Sequence, residues 1–106
     1  MRIRAAFWIG SAKAGDEANF RRGIDHELLP AMKTFPGVKD DKALWPQRLE
    51  DQPPNLACQV LVEFESRADV DCMLESQERR SLRPRVIAMR GIFEGSLSHI
   101  DYEVGT

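Results

Sequence analysis

The chain has 106 residues, 42% of them hydrophobic, which is enough for one compact domain with a single core and too little for two. Its 15 Lys and Arg stand against 17 Asp and Glu, a net charge of -2, so no overall field draws it to nucleic acid or to an anionic membrane. Nowhere do about 18 apolar residues run together, which excludes a spanning helix.

The N-terminal MRIRAAFWIG places basic residues before an apolar run, but that run is too short for a secretory core and no small-residue cleavage pattern follows it. An intracellular, cytoplasmic protein is expected. Within this segment Ile3, Ala5, Phe7 and Ile9 alternate with Arg4, Ala6 and Trp8, the two-residue period of a strand. A turn-forming stretch from Gly10 to Gly15 follows, with Asp16 or Ser11 available to cap a helix. From Asp16 the period becomes helical, with Phe20, Ile24, Leu28, Ala31 and Phe35 recurring every three or four residues. Pro30 cannot donate to the His26 carbonyl, so a kink is expected there, and Pro36-Gly37 stops the helix.

After Gly37 the segment reaching Glu50 carries Val38, Leu44, Trp45 and Leu49 amid charges, and its Pro46 marks an edge strand. DQPPN at 51–55 reads as a turn. The next segment is the clearest strand, with Cys58, Val60, Val62 and Phe64 alternating with Gln59, Leu61 and Glu63. Ser66 is placed as an N-cap with Asp69 at the capping-box position, and Val70, Met73 and Leu74 supply the apolar stripe. A short helix is expected to start at Pro84 and to end at Gly91 or Gly95. The last strand sets Ser98, Ile100, Tyr102 and Val104 against Leu97, His99, Asp101 and Glu103.

The resulting order, β-α-β-β-α-β, is the ferredoxin-like α+β arrangement, a four-stranded antiparallel sheet with helices on one face. The apolar sets of Phe7, Val62 and Ile100 are expected to face the helices. That leaves Trp8, Leu61 and Leu97 exposed in one patch, and a patch of this kind implies a homodimer packed sheet to sheet. Cys58 and Cys72 have neither CxxC spacing nor paired histidines, so both are expected to be reduced, buried thiols and no metal site is expected.

Four aromatics, Phe7, Trp8, Trp45 and Tyr102, are candidates to line an apolar ligand pocket, with core or dimer packing as the alternative for Trp8 and Tyr102. His26 is a candidate general base or ligand anchor, and its alternative is a solvated helix histidine. At about 100° per residue it lies across the helix from the Phe20 and Leu28 stripe, so only a local kink at Gly23 or Pro30 brings it to a pocket. His99 with Asp101 forms a second candidate, a carboxylate-oriented imidazole. The arginines Arg79, Arg80, Arg83, Arg85 and Arg90 read as a solvated face beside Glu75 and Glu78. An RNA-recognition domain has the same element order, but CQVLVEFE lacks the aromatic and glycine pattern of its third strand.

Phe20, His26 with the following ELLP, the FPGV of Phe35 to Val38, and the run VEFESRADVDCMLESQE together resemble the EthD family of the dimeric α+β barrel superfamily. Antibiotic-biosynthesis monooxygenases share that scaffold. The resemblance covers most of the chain, 1–106 being one EthD-like dimeric α+β barrel domain. It implies a homodimer, a small hydrophobic molecule bound between sheet and helices, and no obligatory cofactor. The expected chemistry is cofactor-independent monooxygenation, or isomerisation or cyclisation by proton transfer, with non-enzymatic ligand binding as the alternative. Haem binding, known among related barrels, is a third option.

Overall fold

The computed structural model describes residues 1–51 and 55–105, so the turn expected at 51–55 lies mostly outside the described residues. Strand β1 (Arg2–Ala12) opens the chain. Asp16 then takes the N-cap position without a capping bond from its side chain, and its carbonyl accepts from the Phe20 N–H at 2.8 Å. The first helical rod comes in three pieces: α1 (Glu17–Arg22), a π-helical stretch (Gly23–Leu28), and α2 (Leu29–Met32). Leu29 N–H reaches five residues back to the Ile24 carbonyl. The irregularity expected around Pro30 is therefore a widened turn just before the proline.

Strands β2 (Val38–Leu44) and β3 (Leu56–Phe64) follow, then helices α3 (Arg67–Leu74) and α4 (Gln77–Gly91), and β4 (Phe93–Glu103) closes the sheet. Two boundaries differ from expectation. β2 stops at Leu44, two residues before Pro46, which cannot donate to a ladder. The last helix begins at Gln77 because Ser76 caps it, its hydroxyl accepting from the Arg79 N–H at 3.2 Å. Pro84 consequently lies in the helix interior. Ser66 caps α3 as expected, accepting from Asp69 N–H at 3.3 Å.

The sheet order is β2-β3-β1-β4 with every neighbouring pair antiparallel, and the fold is ferredoxin-like α+β. β1 and β3 hold the centre, as the right-handed crossover rule requires. Gly10 and Gly95 face each other across β1 and β4 at φ +132° and +147°. A Cβ on either would run into the opposite strand's backbone, at the Glu94 or the Ile9 carbonyl.

The faces of β1 and β4 are opposite to expectation. Residues directly paired in an antiparallel ladder share a face. Trp8 pairs with Cys58 and with Leu97, Ala6 with Val60 and with His99, and Arg4 with Val62 and with Asp101. Cys58, Val60, Val62 and Phe64 are buried under the helices as expected, so they bring Trp8, Leu97, His99 and Asp101 to that side. Trp8 is only 2% exposed and sits in the core, edge-on to Phe20 and Phe93 at centroid distances of 5.2 and 5.3 Å. Ile3, Phe7, Ile9, Ile100 and Tyr102 occupy the open face instead, beside Leu61, which lies there as expected. The reason is that both faces of β1 are apolar, so alternation alone does not choose between them. Cys58 is buried, and burial pushes its thiol up to about 12. Cys72 is exposed on α3, contrary to expectation.

A bulge between Val38 and Asp40 shifts the β2 register against β3. The shift reverses the alternation beyond it, so that Asp41, opposite Val62, enters the helix-facing side beside Ala43.

Candidate functional site

A cavity of about 300 Å³ lies between the helix-facing side of the sheet and helices α2 and α4. Its inner wall is apolar: Trp8 and Val60 from the sheet, Leu28 and Met32 from the first helical rod, and Met73 and Leu82 from the last two helices. Leu28 closes the π-helical stretch. That stretch begins at buried Gly23, where a Cβ would meet the Met89 side chain, so the glycine allows the rod and α4 to approach closely.

The polar lining is one-sided. Arg4 and His99 come from the sheet, and Arg79, Arg80, Arg83 and Arg90 from α4, while no Asp or Glu lines the cavity. Arg4 Nη1 donates to Asp101 Oδ1 at 2.8 Å. Arg79 and Arg80 turn back to α3 and the turn after it, donating to the Leu74 carbonyl at 3.3 Å and the Glu75 carbonyl at 2.6 Å. His99 lines the cavity while the residue as a whole stays exposed. Desolvation on its cavity side, then the positive charges of Arg4 and Arg79, hold it below the ordinary imidazole value of 6.5, with Asp101 acting in the other direction. These influences favour the neutral form of the imidazole. Asp101 engages Arg4 rather than His99, so the carboxylate-oriented imidazole expected from the sequence does not form among the described residues.

The other expected site residues are dispersed. His26 is exposed on the π-helical stretch and does not line this cavity. Phe7 and Tyr102 lie on the opposite face of the sheet, Tyr102 at 42% exposure. Trp45 packs edge-on to Phe20, 6.1 Å between centroids, donates from Nε1 to Asp25 Oδ1 at 3.2 Å, and lies under the Arg21 guanidinium at 4.5 Å. It fastens the end of β2 to the first helical rod. Of the six residues singled out, the structure brings Trp8 and His99 to the cavity. The α4 arginines are all exposed, as a solvated face requires. On one helix starting at Gln77, however, Arg79, Arg83 and Arg90 fall within an arc of about 40°, a stripe that a helix starting at Pro84 cuts in two.

The sheet and helices together define a ferredoxin-like α+β protein with a partly open cavity between the two layers. No family model matches the chain, and no curated protein matches it in sequence. Among solved structures, an EthD (ethyl tert-butyl ether) family protein from Bacillus halodurans superposes with a TM-score of 0.78 at 12% identity, over 99% of both chains. A dimeric ferredoxin-like protein of unknown function from Bacteroides fragilis gives 0.63 at 10% identity, over 97% of this chain and 96% of that one. SnoaB, a cofactor-independent oxygenase from Streptomyces nogalater, gives 0.58 at 15% identity, over 99% of this chain and 92% of that one. At these identities the likenesses show the fold alone, and it is the ferredoxin-like α+β fold that the sequence resemblance implied.

Among the described residues, no group of three or more His, Cys, Asp or Glu side chains is arranged to hold a metal ion. No helix among them is long and apolar enough to cross a membrane.

Proposed function

We propose that the protein binds a small, largely apolar organic molecule in the cavity beneath the helices and moves a proton on it through His99. The observation that carries this reading is the cavity itself: about 300 Å³ with mainly apolar walls, lined on its polar side by one imidazole, His99, that reaches solvent and whose neutral form is favoured. His99 accepts a proton from an acidic C–H or O–H of the bound molecule. The resulting carbanion or enolate takes the proton back from the His99 imidazolium at another carbon, giving isomerisation, or it gives one electron to dioxygen and the radical pair recombines to a C–O bond, the peroxide anion taking the imidazolium proton. The second course is the one that likeness to a cofactor-independent oxygenase supports. His26, exposed away from the cavity, has no part in this scheme. A second copy of the chain covers the open face of the sheet.

The experiment is proton exchange. A panel of aromatic 1,3-dicarbonyl compounds is incubated with the protein in D2O, and loss of the acidic C–H signal is followed by NMR. Wild type accelerates exchange, and His99→Ala slows it about 100-fold or more while ligand binding persists. The rate rises with pH through the depressed value of His99 and then levels. Because Asp101 is engaged by Arg4 and does not orient the imidazole, a binding-only role is the second reading. Equal exchange by wild type and His99→Ala would establish that role for the imidazole.

A further inference from the structure

The charge around the cavity is not that of the chain. The whole sequence carries a net charge of -2, yet the cavity lining holds five arginines and no carboxylate. A solvated helix face intersperses its cations with acids at three- or four-residue spacing. The acids closest in sequence, Glu75 and Glu78, neither line the cavity nor form an ion pair with an α4 arginine among the described residues.

The five arginines are also unequal. Arg4 is paired with Asp101, while Arg79 and Arg80 are tied to carbonyls. Arg83 and Arg90 have no side-chain hydrogen bond and no ion pair among the described residues, and both are exposed where they line the cavity. Two unpartnered guanidiniums thus stand beside an apolar chamber. Guanidinium matches planar oxyanions in geometry as well as charge. A neutral apolar guest gives this arrangement no work, and a cation is repelled by it.

Building on the reading that this cavity binds a small organic molecule, we infer that its ligand is an amphipathic anion, with an apolar body against Trp8 and Leu82 and an oxyanion head among the α4 arginines, Arg83 and Arg90 foremost. The head reaches solvent at the exposed side of α4, and the body lies against the apolar wall. Such a ligand also compensates the positive field that Arg4 and Arg79 impose on His99.

Calorimetric titrations with octanoate, octyl phosphate and 1-octanol at low ionic strength test this. The expected result is that at least one of the two anions binds tenfold or more tightly than 1-octanol, whichever head is preferred. Raising the salt concentration narrows the gap. The double variant Arg83→Gln/Arg90→Gln loses most of the anion's advantage and keeps the affinity for 1-octanol, which also shows that it is folded. If 1-octanol binds as tightly as both anions, the anionic ligand is overturned and the apolar cavity reading stands. If all three fail to bind, both readings fall together.

Discussion

Asp41 is the buried charged side chain of the described core, 1% exposed, with neither carboxylate oxygen hydrogen-bonded. The Lys33 ammonium, 3.9 Å away and itself largely in solvent, only partly offsets the loss of hydration. Burial therefore raises the carboxyl from 3.8 to about 6. The folded value lies above the unfolded one, so the favourable contribution of this group is complete below about pH 4 and is lost as the pH rises through about 6. At pH 7 the ionised form costs up to about 3 kcal/mol. Asp41→Asn keeps the shape and removes the charge. Denaturant melts should show the variant more stable than wild type at pH 7, with the gap closing between pH 6 and 4. A gap independent of pH would contradict the assignment. No pattern in VKDDKAL says which acid enters the core, because the choice is made by the bulge after Val38. That bulge is a property of pairing with β3 and leaves no mark in composition.

At the scale of elements, the facing pair Gly10 and Gly95 fixes how β1 and β4 meet at one end of the sheet. At Gly10 both causes of strain act together, a positive φ of 132° and a Cβ blocked by the Glu94 carbonyl. Backbone cannot swing aside as a long side chain does. Gly10→Ala is expected to lose about 3 kcal/mol or more of unfolding free energy, read as a lower denaturation midpoint. A loss below about 1 kcal/mol would mean that the strands separate there without cost. Element order and strand order were legible in the sequence, because the Cys58 to Phe64 alternation, the Ser66 cap and the Pro36-Gly37 stop are local signals. The face of β1 was not legible. Ile3, Phe7 and Ile9 are as apolar as Ala6 and Trp8, and only pairing with β3 decides between the sets. The arginine stripe of the cavity was hidden by a local ambiguity: Pro84 suits a first turn as well as an interior, and only the Ser76 cap puts Arg79 and Arg83 on the helix that carries Arg90. His26 illustrates the converse. A kink at Gly23 or Pro30 is the condition for it to reach a pocket, and the helix does widen over Gly23–Leu28, yet the imidazole stays exposed.

For the whole molecule, the helices cover one side of the sheet and leave the other with Ile3, Phe7, Ile9, Leu61, Ile100 and Tyr102. Ile100 is 47% exposed and Tyr102 42%. A contiguous face of this composition calls for a partner. A second copy is the economical one, because a two-fold axis through the sheet brings the same residues to both sides. Wild type should therefore sediment as a dimer at micromolar concentration, and Phe7→Glu should sediment as a monomer with an unchanged far-ultraviolet spectrum. Ile100→Glu, at a more exposed position on the edge strand β4, repeats the test should the central substitution disturb folding. A wild-type monomer at that concentration would end the argument. Phe7 and the cavity lie on opposite faces, so the monomeric variant should retain its affinity for octanoate within about twofold, as expected for sites without shared partners. A folded monomer that no longer binds octanoate would instead mean that the partner subunit completes the cavity through the sheet.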